Sequence, residues 1–245
     1  TDVAYIKALG RQVKNYNDSY WSGIRMNNNI KELYDYREMI FSLIKRELRG
    51  KYQASVLGFL WTLINPLMQM VVYIIVFSFI LKSGIKNFPI FLFVGLVPWN
   101  FFSISITSGA TCVVNQENLI KKIYFPRVIL PISYVTSMFI NMLLTFIVIF
   151  IVLVLSGYGI NIKAVAMLPL IMLIEYILAL GICMLTSALA VYFRDLEYIM
   201  GIVTMAWMYL TPILYTAEIV PDSIRVIFNL NPMTPIIEAY QQILY

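Results

Sequence analysis

Charged residues are absent from three long stretches of the chain, between Lys51 and Lys82, between Lys86 and Glu117, and between Arg127 and Lys163. Each stretch exceeds the roughly 20 apolar residues a helix needs to cross a bilayer. Bounded by turn formers and charges, five spans are predicted at about Phe59 to Leu81, Pro89 to Val113, Val128 to Leu155, Leu168 to Phe193 and Ile199 to Tyr215. A soluble helix shows a polar face, and a transmembrane strand alternates over about 10 residues; these segments do neither. The pattern predicts an all-α membrane protein, a polytopic helical bundle.

The flanks differ in kind. Upstream of the first span, Ile30, Leu33, Tyr34, Phe41, Ile44 and Leu48 recur at helical spacing, with the charges mostly on the other side. Asn29 with Glu32 resembles a capping box, and Gly50 is a stop signal. This predicts an amphipathic helix, lying on the membrane surface or packed on a soluble partner. Downstream of the fifth span, Ile224 to Leu230 and Ile236 to Leu244 are too short to cross and are separated by Asn231-Pro232-Met233-Thr234-Pro235. They read either as a re-entrant pair or as an extracellular helical cap. The chain thus divides into an N-terminal region at 1–51, a transmembrane domain at 52–215 and a terminal segment at 216–245.

Composition narrows the function. Of 245 residues 60% are hydrophobic and only 13% charged, about half the soluble norm of roughly 25%. No histidine is present, which excludes Ser-His-Asp and Cys-His nucleophilic sites and histidine-ligated metals. Cys112 and Cys183 lie in apolar runs without metal-ligand spacing, so no metal site is expected. The polar, aromatic N-terminal 25 residues lack the apolar core of a cleavable signal. The net charge of +5 sets orientation in a membrane rather than nucleic-acid binding. With the N-terminus cytoplasmic, the inner segments hold 14 Lys and Arg and the outer ones 4, which places the N-terminus inside.

Candidate chemistry is sparse. Glu175 is an acid within the fourth span, either a proton or cation site or a side chain that snorkels or stays protonated. The segment Asn115-Gln116-Glu117-Asn118-Leu119-Ile120-Lys121-Lys122, continuing to Arg127, mixes polar residues with Leu119, Ile120, Ile123 and Phe125. It suits a short helix that docks into a soluble partner or caps the bundle on anionic lipid. Arg194 and Asp195 make a charged cytoplasmic turn, either an ion pair or a stop-transfer signal. Aromatics on the spans, Trp61, Tyr73 and Tyr209 among them, form an interfacial belt or, deeper in, line a path on which sugars stack.

Six strings in order resemble the permeases of ABC-2-type exporters of cell-surface polysaccharides: Arg49-Gly50-Lys51-Tyr52-Gln53 on to Trp61 and Asn65-Pro66-Leu67; Gly95-Leu96-Val97-Pro98-Trp99; Asn118 to Arg127 with Leu130-Pro131; Tyr192-Phe193-Arg194-Asp195; Leu210-Thr211-Pro212-Ile213; and Asn231 to Pro235. That family includes O-antigen, capsule and teichoic acid exporters. The resemblance implies a subunit of the bacterial cytoplasmic membrane, a permease homodimer with two cytoplasmic nucleotide-binding ATPase subunits, moving a lipid-linked glycan outward. ATP and Mg would belong to the partner, and this chain, with no phosphate-binding GxxxxGK[ST] loop, needs no cofactor of its own. The resemblance also implies that Asn115 to Lys122 is a coupling helix. It makes Ile30 to Leu48 an interface helix at the substrate entrance, where Arg46, Arg49 and Lys51 attract a lipid pyrophosphate or simply anchor the chain. Pro221 to Tyr245 becomes a re-entrant pair, followed in the family by a sixth span that this sequence does not reach, as in a truncated chain. Three other readings remain: an ion-coupled transporter or channel centred on Glu175, a membrane glycan-transferring enzyme using Asp195 and Glu197, and an ABC-2 exporter of drugs or small lipids.

Overall fold

The computed structural model describes residues 33–52, 60–76, 87–155, 162–221 and 225–245, which are helical with no strand. The Asn29–Glu32 cap, residues 53–59 of the first resemblance string, the end of the first span at 77–81 and the loop with Lys82 and Lys86 lie outside them.

Among the described residues, three helices are long and apolar enough to cross a membrane. They are α3 (Phe88–Ala110), α5 (Ile129–Leu155) and α7 (Leu168–Ala190). The buried share of their apolar windows falls from 72% in α3 to 44% in α5 and 28% in α7, so α3 is the axis of the bundle and α7 its rim. α3 packs on α5 and α7, and also on α2 (Trp61–Ile74), α8 (Leu196–Tyr209) and α10 (Met233–Leu244). α7 buries Met172, Glu175, Ala179 and Cys183 at steps of three and four, and turns Leu170, Leu173, Ile174, Ile177 and Leu185 outward. That aliphatic face is what hydrocarbon requires. Several hydroxyls within the bundle bond back to their own helix, as Ser133 Oγ to the Ile129 carbonyl at 2.6 Å and Thr145 Oγ1 to that of Asn141 at 3.0 Å.

Two local features fix how α3 sits. Asn87 adopts a left-handed conformation, φ 48°, and Pro89 follows in the first helical turn. At the other end, a Cβ on Gly109 would lie 2.7 Å from Cys183 Sγ, so α3 and α7 cross there only because the position lacks a side chain. Gly109→Ala is expected to cost about 1–3 kcal/mol of stability through overpacking, read as a lowered melting temperature in detergent. Cys183→Ala added to it should restore most of the loss; a melting temperature unmoved by Gly109→Ala would refute the contact.

α1 (Arg37–Tyr52) follows a short helical piece and a turn at Tyr36. It runs through Gly50 rather than stopping there, at a helix cost for glycine of about 1 kcal/mol. Its apolar face meets α5, burying Leu43 and Ile44, whereas Phe41 is exposed. Leu43, Cys112, Val113, Phe125, Ile129 and Leu130 form a satellite core at this end. It holds together α1, the residues Cys112 and Val113 that follow α3, α4 (Glu117–Lys122), which a 3₁₀ turn (Val114–Gln116) precedes, and the start of α5.

The fifth predicted span is shorter than expected. α8 ends at Tyr209, about 21 Å of helix, and Thr211, Pro212, Ile213 and Leu214 form a buried turn instead of continuing it. The first span is a helix over α2 and a π turn at Ile75 and Val76, up to the limit of the described residues. After α6 (Ile162–Val165), at the end opposite α1, come α9 (Arg225–Leu230) and α10. Met233, Thr234 and Pro235, expected to lie between the two terminal pieces, are the first turn of α10. α10 packs against α3, α7 and α6, with Met233, Ile236, Ile237, Tyr240, Gln241 and Leu244 buried.

Candidate functional site

At the α1 end, the predicted docking segment is built as a 3₁₀ turn running into α4, with Leu119 and Ile120 turned toward the satellite core. Asn115, Glu117, Asn118, Lys121 and Lys122 are exposed, and Gln116 is half-buried. Ile123 lies past the helix end and is exposed, as is Tyr124 at 84%; of the expected apolar face only Leu119, Ile120 and Phe125 turn inward. Lys121 pairs with Glu117 one turn away. That hydrogen bond and charge, with a further contribution from the charge of Arg194, hold the Glu117 carboxyl below the usual range. Val191, at the end of α7, packs on the same satellite core as Leu119 and Ile120, which brings the α7–α8 turn to the α4 side of the bundle. Arg194 and Asp195 are both exposed and make no ion pair with each other.

Arg46 and Arg49 are exposed on α1, Arg46 lying 3.9 Å from Glu47; Lys51 is in the last turn of the helix, and its side chain is outside the described residues. Next to them is a cavity of about 230 Å³ lined by Arg46 and Glu47 of α1, Ser108 and Thr111 of α3, Tyr134 of α5 and Glu197 of α8.

The candidate path residues separate. Trp61 is 41% and Tyr209 60% exposed, on the outer surfaces of α2 and α8. Tyr73 is half-buried between α2 and α8: its hydroxyl accepts from Gln69 Nε2 at 3.5 Å and donates to Met208 Sδ at 3.9 Å. Gln69 Oε1 accepts in turn from Asn100 Nδ2 of α3 at 3.1 Å. Glu175 is 0% exposed; it does not snorkel but points into the bundle, where Oε2 accepts from Tyr240 Oη of α10 at 2.7 Å. Its Oε1 has no partner among the described residues.

One organising residue escaped the sequence reading. Asn231 accepts at Oδ1 from Trp207 Nε1 at 2.7 Å and from the Met233 backbone N–H at 2.9 Å, and donates through Nδ2 to the Leu210 carbonyl at 3.1 Å and to Thr211 Oγ1 at 2.9 Å. It caps α10 and ties it to the end of α8. Gln241 Nε2 adds a bond to the Pro212 carbonyl at 2.9 Å. The signal was an Asn immediately before a proline at a helix start, a position where a side-chain oxygen is needed to cap free N–H groups.

The arrangement is a helical membrane unit with the short, exposed α4 segment at one end and a pinned helix at the other. The profile of the ABC-2 type transporter family matches residues 38–245. The chain belongs to that family. Among its relatives, the O-antigen export system permease protein RfbA of Myxococcus xanthus is 36% identical over 218 residues, 88% of this chain and 84% of that protein. The protein of that name from Klebsiella pneumoniae is 31% identical over 220 residues, 90% and 84% of the two chains. The polysialic acid transport protein KpsM of Escherichia coli is 23% identical over 208 residues, 82% and 79%. As an ABC-2 permease the chain is a transport subunit and not itself catalytic. The spacing of its strings along this ABC-2 chain also acquires a physical reason. In Gly-Leu-Val-Pro-Trp, a Cβ at Gly95 would sit 3.3 Å from Gln241 Nε2, so glycine admits α10; in Asn-Pro-Met-Thr-Pro, Asn231 pins the end of α8.

Proposed function

We propose that this chain is the membrane-spanning subunit of an ATP-driven exporter that carries a lipid-linked polysaccharide across the bacterial cytoplasmic membrane. The observation that carries the reading is the identity, over more than four fifths of both chains, with permeases named for O-antigen export. O-antigen, capsular or teichoic acid glycans are all of this chemical class. A separate nucleotide-binding subunit, with its ATP and Mg, supplies the energy, and two copies of each make the complex. The N-terminus is cytoplasmic, so the α1 end faces the ATPase and the α10 end faces out.

In this reading the ATPase grips the exposed surface of Asn115, Gln116, Glu117, Asn118, Lys121 and Lys122, with Leu119 and Ile120 anchoring it to the satellite core. A push on α4 passes through that core to α1, to α5 and to Cys112 and Val113 just past the end of α3, because all of these share it. Arg46, Arg49 and Lys51 attract the lipid pyrophosphate at the entrance. Charge reversal at Lys121 and Lys122 together should cut export about tenfold or more while the complex still assembles, since it reverses rim charges on the docking surface. ATPase activity and export are measured on the same preparation; both unchanged would overturn the docking assignment.

A further inference from the structure

The chain has two cysteines, far apart in sequence, and they meet at the α1 end of the bundle. Cys112 sits in the turn that leaves α3, its N–H bonded to the Gly109 carbonyl at 3.2 Å. Cys183 lies on α7 and is 0% exposed. The bare backbone at Gly109 lets the Cys183 sulfur come close to α3, since a Cβ there would stand 2.7 Å from it. The two thiols are hydrogen-bonded to each other. Both are free, and among the described residues no third ligand joins them to make a metal site.

The two sulfurs are not equally reachable. Cys112 lines the 230 Å³ cavity beside Arg46, Glu47, Asn115 and Gln116, and Cys183 does not. A small neutral solute entering past these polar side chains meets Cys112 first, with Cys183 behind it. That is the order of an attacking thiol and a resolving one. The bond to Cys183 and burial, with the charge of Glu47, hold the Cys112 thiol well above its ordinary range. Oxidation therefore waits on a small thiolate fraction and is slow at neutral pH.

The position of the pair gives it a consequence. Cys112 belongs to the satellite core that carries α4, and Cys183 to the main core of the bundle. A covalent bond between them ties one core to the other, so that a push on α4 no longer shifts the satellite core against α7. In a reducing cytosol such bonds are transient and redox-sensing.

We propose that Cys112 and Cys183 form a reversible disulfide when hydrogen peroxide reaches the cavity, stapling the turn after α3 to α7 and throttling the transporter. The Cys112 sulfur, as thiolate, attacks one peroxide oxygen; the O–O bond breaks, the leaving hydroxide takes up the proton released by the thiol and departs as water, and a sulfenic acid remains. The Cys183 sulfur then attacks that of Cys112; the S–O bond breaks, the hydroxyl leaves as water with the Cys183 proton, and the S–S bond forms. The two thiols give up two electrons and the peroxide takes them. A dithiol reductant reverses the bond by exchange at the cavity-facing sulfur.

The throttling rests on the export reading above; the chemistry of the pair does not. The complex with its ATPase, in proteoliposomes, is treated with hydrogen peroxide and divided between peptide mass spectrometry and activity assays. A linked peptide joining Cys112 to Cys183 should form, about tenfold faster for each pH unit between 7 and 8. ATPase activity and export should both fall about fivefold or more, and dithiothreitol should restore them. Cys112→Ala and Cys183→Ala should each keep the untreated activity and lose the sensitivity to peroxide. Reversal by dithiothreitol needs no variant, so it decides the matter even where neither alanine chain folds. Absence of the link, or oxidation of Cys112 to the sulfinic acid alone, overturns the proposal. So does a link that leaves ATPase activity and export unchanged, or an equal loss in the alanine variants. If the untreated complex exports no polysaccharide, the export reading has failed, while the link and its effect on ATPase activity still decide this one.

Discussion

Asn231→Ala is expected to destabilise the protein by about 3 kcal/mol or more, a large loss for one small polar side chain. The side-chain amide has two lone pairs and two N–H groups, and all four are used, by Trp207, Met233, Leu210 and Thr211. Truncation strands a half-buried indole N–H and a buried backbone N–H, each worth about 1–3 kcal/mol unpaired. Asn231→Asp keeps both acceptors but sets a carboxylate against the Leu210 carbonyl, and should be comparably damaging. Trp207→Phe removes one donor and leaves Asn231 its other bonds, so about 1 kcal/mol is expected. Thermal unfolding of the purified protein in detergent ranks the three; Asn231→Ala melting at the wild-type temperature would remove Asn231 from its organising role.

The second large effect separates charge from hydrogen bonding at Glu175. Glu175→Gln should leave stability and export near wild type, because a glutamine carbonyl still accepts from Tyr240 Oη. Glu175→Leu should lose about 1–3 kcal/mol, the cost of a buried hydroxyl without a partner, and Tyr240→Phe, which strips the carboxyl of its donor, should lose at least as much. Hydrogen exchange of α10 is a direct readout, since this bond holds α10 to α7. An ion-coupled transporter requires the opposite order, with Glu175→Gln abolishing transport, so export by that variant decides between the two.

The three long helices are legible from hydropathy because burial in protein and burial in lipid both demand apolar residues. The same ambiguity explains where the reading overran. Leu210-Thr211-Pro212-Ile213-Leu214 is apolar enough to extend a span, but Pro212 breaks the helix and the segment is covered by α10. Gly50 is a stop signal in the sequence, yet α1 continues beyond it. The spacing of Met172, Glu175, Ala179 and Cys183 marks a stripe that includes the acid, so the inward direction of Glu175 was readable from its neighbours. Three of the four partners of Asn231, namely Trp207, Leu210 and Thr211, were not, because they sit 20 to 24 residues upstream and meet it only through the turn after α8. The short helix α4 was legible as a mixed polar and apolar run, but which apolar residues turn outward depends on where α4 ends, and Tyr124 and Ile123 fall past that point.

The pinning of α8 has a mechanical side. Its end, at Trp207 and Leu210, is held by Asn231, whereas along its length only Thr204 and Met208 are buried. A rod clamped at one end and loosely seated along its length swings about the clamp. A rotation of about 10° around Asn231 would carry the far end of a 14-residue helix, about 21 Å away, through about 3.6 Å. That far end is Leu196 and Glu197, beside the cavity and next to the Arg194 turn. The fulcrum and the point of largest travel are therefore at opposite ends of the bundle, and a small rotation at one is a gap of atomic width at the other.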